Sequence, residues 1–162
     1  MIAAALFFSI VLSAGSFAWG YSQAGYEGVA RWVAAAGFFW LAAIWRRWRW
    51  TSSAGIFLAL PLSIFGLWFN FAGGWMFGGM IFALFAWDLT EFQQRIKSLP
   101  AREDIRGMER RHLVRISLLA LAGLLIASLF MFMRGEFTWE WRMYVLGVSL
   151  LGSLQIAAWM RR

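Results

Sequence analysis

The chain has 162 residues, of which 62% are hydrophobic and 14% charged, with a net charge of +7. Soluble domains carry charge on roughly a quarter of their residues, so a soluble globular fold is excluded. The absence of cysteine excludes disulfides, thiolate nucleophiles, iron–sulfur ligation and c-type haem attachment.

A hydrocarbon core about 30 Å thick takes about 20 residues of helix to cross. Six stretches reach or approach that length: 1–19, 29–45, 53–71, 74–92, 113–133 and 139–160. Their apolar runs are continuous rather than alternating, which argues against barrel strands. The expected fold is an all-α integral membrane protein, a single bundle of six transmembrane helices in three hairpins.

The first stretch ends in small residues around Ser13, Ala14, Gly15 and Ser16, as a secretory signal would, but no basic leader precedes it. It is therefore expected to stay as the first helix. The second stretch runs into Arg46, Arg47 and Arg49, interleaved with Trp45, Trp48 and Trp50. Alternating indoles and guanidiniums anchor at a membrane interface and grip anionic lipid headgroups.

The uncharged run 51–87 must supply the third span, a turn marked by Asn70, Gly73 and Gly74, and most of the fourth. Pro61 falls inside the third helix. A re-entrant hairpin here would leave four crossings instead of six. The fourth helix reaches Asp88 about 21 Å below Gly74 at ~1.5 Å per residue, which is at or inside the hydrocarbon boundary. Asp88, Glu91 and Arg95 follow at i, i+3 and i+7 and share one face.

Between the fourth and fifth spans lies a loop, 93–112, expected to be cytoplasmic. Its Pro100 suits a first helical turn capped by Ser98 or Leu99, so the fifth helix is expected to protrude before it enters lipid. On that helix Glu109, His112 and Ile116 share a face, with Arg115 close to it. The sixth span carries Gln155 in its inner half.

The second basic cluster holds Arg95, Lys97, Arg102, Arg106, Arg110, Arg111 and Arg115, and the third Arg161 with Arg162. Two spans separate each pair of clusters. Lysine and arginine collect on the cytoplasmic side, so six crossings place all three clusters and both termini there, in a plasma or inner membrane. This accounts for the basic charge without nucleic acid, which is not an expected partner. Eleven of the twelve tryptophans fall within about two turns of a span end, as interfacial indoles do, and Trp40 alone is deep.

The only histidine, His112, leaves no pair of axial ligands for a b-type haem, and the only lysine, Lys97, lies in a polar loop, away from any buried Schiff base. Neither a phosphate-cradling Gly-rich loop nor a serine-nucleophile elbow occurs. Any other cofactor is left unassigned by the sequence.

What remains is a polar cluster at the basic rim: Asp88, Glu91, Arg95, Glu109, His112 and Arg115. Its simplest role is a salt-bridged latch between the fourth and fifth helices, since an intramembrane carboxylate needs a partner. Glu109 and His112 have the spacing of bundle metal ligands, but one histidine and several flanking arginines make them weak ligands for a cation. Those arginines suit an anionic headgroup or phosphate better.

Gly74-x-x-x-Gly78, Gly123-x-x-x-Ala127 and Ser149-x-x-x-Ser153 suit close helix contacts, within a bundle or toward another subunit. The leading functional reading is a non-enzymatic accessory or assembly protein, homo- or hetero-oligomeric, packing against lipid or other membrane proteins. The alternatives are a small oligomeric transporter or channel using Asp88, and an intramembrane enzyme using Glu91, Glu109 or His112 as acid or base.

Overall fold

The computed structural model describes residues 2–46, 48, 51–97, 105–135 and 138–160, and their side chains other than those at 52, 97, 105, 106, 134, 151 and 153–160. Every regular element among them is a helix: α1 (Ile2–Gln23), α2 (Glu27–Trp45), α3 (Thr51–Trp68), α4 (Gly73–Lys97), α5 (Ile105–Arg134) and α6 (Trp139–Met160). The chain divides into two compact units, Met1–Ser98 with α1 to α4 and Leu99–Arg162 with α5 and α6.

Among the described residues three helices are long and apolar enough to cross a membrane: α1, α2 and the segment Gly107–Met133 of α5. The apolar part of α3, Ser53–Trp68, is shorter. In α4 the uncharged part stops at residue 87, before Asp88. Residues 93–97 continue α4 and residues 105–112 open α5, so both helices extend into the stretch 93–112.

In the first unit α1 and α4 form the central pair, with α2 laid on α1, α3 on α4, and α2 touching α3 lightly. Two of the connections are closed by the same device. Gly25 adopts a φ of 84°, while the Tyr26 and Gly25 amides donate to the Tyr21 and Ser22 carbonyls at 2.9 and 3.0 Å. After α3, Asn70 adopts a φ of 56°, and the Phe71 and Asn70 amides donate to Gly66 and Leu67 at 2.9 and 3.1 Å. Both are Schellman caps, which stop a helix and satisfy its last carbonyls.

The unit's interior mixes large apolar side chains, Leu6, Ile10, Phe17 and Met76 among them, with small and hydroxylic ones. Ser9, Ser13, Ser16 and Ser63 are buried with Ala5, Ala59, Ala83 and Ala86, whereas Phe38 and Phe57 are 75% and 73% exposed. Small side chains at these buried positions let the helix backbones approach closely. At Gly37, Gly55 and Gly79 an added Cβ would collide with Ala14, Trp40 and Phe17, respectively. Met76, fully buried, fills the space that Gly20 and Gly66 leave open on two sides.

The hydroxyls are satisfied inside the unit. Ser9 and Ser16 donate to their own helix at Ala5 and Leu12, while Ser13 reaches across to the Gly79 carbonyl of α4 at 2.8 Å. Tyr21 donates to the Leu62 carbonyl of α3 at 2.8 Å, next to Pro61, which α3 accommodates without a break. Tyr21, Tyr26, Phe69 and Phe71 form an aromatic cluster at that end of the unit.

In the second unit α5 and α6 form a hairpin. Thr138 caps α6, its Oγ1 accepting the Trp141 amide at 3.3 Å. Leu113, Leu124, Ala127 and Met131 make a buried stripe along α5. Trp141 is wholly buried, and its Nε1 donates to the Ser128 hydroxyl at 3.0 Å. Trp75 and Trp141, counted above among interfacial indoles, are therefore interior residues; nearness to a helix end in sequence does not reveal the side that faces a neighbour.

Candidate functional site

The six residues of the rim cluster divide between the two units, three on α4 and three on α5. On α4, Asp88, Glu91 and Arg95 share a face as their spacing requires. That face is turned away from Phe82, Ala86 and Leu89, which are buried in the first unit. Asp88 and Glu91 are half-buried and Arg95 is exposed. The trio therefore lies on the flank of the four-helix unit and not in its interior.

On α5, Glu109 and His112 are half-buried and share a side with the buried Ile116. Arg115 is exposed with Arg110 and Arg111, and it continues downward into exposed Leu118, Leu119 and Ala122. Arg115 thus lies next to the Glu109 and His112 side, on a basic-over-apolar face. Among the described residues no three of the histidine, aspartate and glutamate side chains gather in a way that could hold a metal ion.

Of the proposed headgroup anchor, Arg46 is exposed at the end of α2, its amide donating to the Ala42 carbonyl at 3.0 Å. Trp48 packs edge-on against Phe39 at 6.3 Å. Arg47, Arg49 and Trp50 lie outside the described residues, as do Arg102, Arg161, Arg162 and the Ser98–Pro100 cap; so do the side chains of Lys97, Arg106, Ser153 and Gln155. At the opposite end of α2, Arg31 and Glu27 form an exposed i,i+4 ion pair at 3.4 Å. Such pairs contribute about 0.3–0.5 kcal/mol.

Two features escape sequence reasoning. One is the α5 face, where Arg110, Arg111, Arg115, Leu118, Leu119 and Ala122 line an open groove of about 640 Å³. Its signal in the sequence is the 111, 115, 118, 122 spacing, which places four positions on one side of a helix. The other is Trp40, whose indole packs on Gly55 with its buried Nε1 lacking a hydrogen-bond partner.

Comparison of the chain with protein-family models, with curated proteins and with solved structures found no match.

Proposed function

We propose that this chain is a multi-pass membrane protein that crosses the bilayer six times, with residues 46–50, 93–112 and both termini on the cytoplasmic side. Its role is to pack against lipid and other membrane proteins as an accessory or assembly subunit. The observation that carries this reading is the apolar exterior of the first unit, where Phe38, Phe57, Ile64 and Trp68 stand exposed while the hydroxyls of Ser9, Ser13, Ser16 and Ser63 are buried. An exterior of that kind is stable only against lipid tails or apolar helices of a partner. The interior hydroxyls of Ser9, Ser13, Ser16 and Tyr21 are bonded to carbonyls, which favours a closed bundle over a water-filled path.

Because the chain has no cysteine, single introduced cysteines report on one site at a time. Arg49→Cys and Gly107→Cys should react with an impermeant reagent from the cytoplasmic side, and Ser22→Cys and Phe137→Cys from the other. Labelling of Arg49→Cys and Gly107→Cys from opposite sides overturns the topology. For the role itself, the protein extracted from native membranes should migrate as a complex of fixed stoichiometry. A monomer that conducts ions in proteoliposomes, with flux abolished in Asp88→Asn, overturns it in favour of a transporter.

A further inference from the structure

We propose that the exposed face of α5 is a binding site for an anionic phospholipid, with the phosphate held by Arg110, Arg111 and Arg115 and an acyl chain laid along Leu118, Leu119 and Ala122. The proposal rests on the membrane reading above and adds a specific ligand and place to it.

Depth is the first argument. No charged residue lies between Arg115 and Arg134. Nineteen residues of helix at ~1.5 Å each span about 28 Å, close to the ~30 Å of a hydrocarbon core. An α5 that crosses the bilayer therefore sets Arg115 at one edge of that core, with Arg111 one turn further out at the level of lipid phosphates.

Helical phase is the second. Arg111, Arg115, Leu118 and Ala122 follow at i, i+4, i+7 and i+11, so cations and apolar side chains stack on one line. The buried stripe of Leu113, Leu124 and Met131 occupies the other side of the helix. The line is thus a continuous outward surface, basic above and apolar below, matching the two chemical halves of a phospholipid.

Shape and charge complete the case. The open groove, about 640 Å³, is walled almost entirely by apolar atoms, the stems of Arg110, Arg111 and Arg115 included, as an acyl chain requires. Three exposed guanidiniums within two turns offer forked donors suited to phosphate oxygens. A free phosphate would have no use for the apolar lower half, and a neutral lipid none for the arginines.

The test uses the full chain in a neutral detergent, titrated with phosphatidylglycerol or with phosphatidylcholine of the same acyl chains, with bound lipid read by native mass spectrometry. A surface arginine contributes about fivefold to anionic-lipid binding, so wild type should hold phosphatidylglycerol more tightly than phosphatidylcholine by one to two orders of magnitude. Arg111→Gln with Arg115→Gln should lose about twenty-fivefold of it, and Arg111→Lys with Arg115→Lys, which keeps the charge but not the fork, should lose less than the glutamine pair. Ala122→Phe, which fills the apolar half, should weaken both lipids. Arg31→Gln with Arg142→Gln, an equal charge change elsewhere, should leave binding unchanged.

Equal retention of the two lipids, or an equal loss in the Arg31/Arg142 control, overturns the site. Displacement of phosphatidylglycerol by inorganic phosphate, with no effect of Ala122→Phe, shows a free-anion site instead and also overturns it. Failure here with correct cysteine labelling removes only the lipid site; failed labelling removes the topology beneath it.

Discussion

The Ser13 hydroxyl of α1 donates to the Gly79 carbonyl of α4 across 2.8 Å, and one turn along α1 the Phe17 ring rests where a Cβ on Gly79 would stand. The bond and the ring contact depend on the same missing side chain. Gly79→Ala must push aside a buried phenyl ring, and overpacking of this kind costs about 1–3 kcal/mol. Ser13→Ala removes one interhelical hydrogen bond, worth about 0.6 kcal/mol on average in membranes. Thermal unfolding in detergent should rank Gly79→Ala as clearly the less stable of the two.

Met76 and Gly66 should behave as a coupled pair. A Cβ on Gly66 would overlap the Met76 sulfur and its Cγ, and Met76 is completely buried. Met76→Ala leaves a cavity and should cost about 2–5 kcal/mol. Gly66→Ala alone should also destabilise, yet in the Met76→Ala background it fills part of the void. The double variant should then be more stable than the sum of the single losses, as a double-mutant cycle in the same melting assay would show.

Trp40 carries a buried Nε1 with no hydrogen-bond partner, an arrangement that costs about 1–3 kcal/mol. Trp40→Phe gives up some packing but removes that donor, so the two effects offset and stability should change by less than ~1 kcal/mol. Trp40→Ala should lose about 3–5 kcal/mol. Gly55→Ala, which drives a methyl into the indole, should shift the Trp40 fluorescence in a variant whose other tryptophans are replaced by phenylalanine. An unchanged spectrum would contradict the contact.

A side-chain bond ties α6 to α5 in the second unit. Ser128 accepts the indole N–H of fully buried Trp141 and itself donates to the Leu124 carbonyl at 2.8 Å. Ser128→Ala strands the indole donor and should cost about 1–3 kcal/mol. Once Trp141 is phenylalanine, the same substitution should cost little. Equal effects of Ser128→Ala in both backgrounds would show that the bond contributes nothing.

The six helices were legible from composition and spacing because long apolar runs free of breakers satisfy their backbone bonds as helix, and Asn70 announced the second of the two Schellman turns. The crossing number is less directly readable: α4 meets its first charge at Asp88, well before its end at Lys97. Indole and small-residue patterns mark which positions are special without marking what they face. Trp75 and Trp141 read like Trp19 and Trp139, yet the first two are buried and the others exposed.

Within the rim cluster, spacing alone correctly grouped Asp88, Glu91 and Arg95, because residues on one helix keep a fixed angular relation. Spacing also sets Arg115 about a third of a turn around α5 from Glu109, but which side is the interior depends on α6 and its Trp141. The sequence by itself determined where the chain is helical and where its cations collect, since both follow from local chemistry and the thickness of a bilayer. Only the tertiary structure decided which face of each helix is inside, because in lipid that choice rests on the close fit of Phe17 to Gly79, Met76 to Gly66 and Trp40 to Gly55, and no hydrophobic stripe records it.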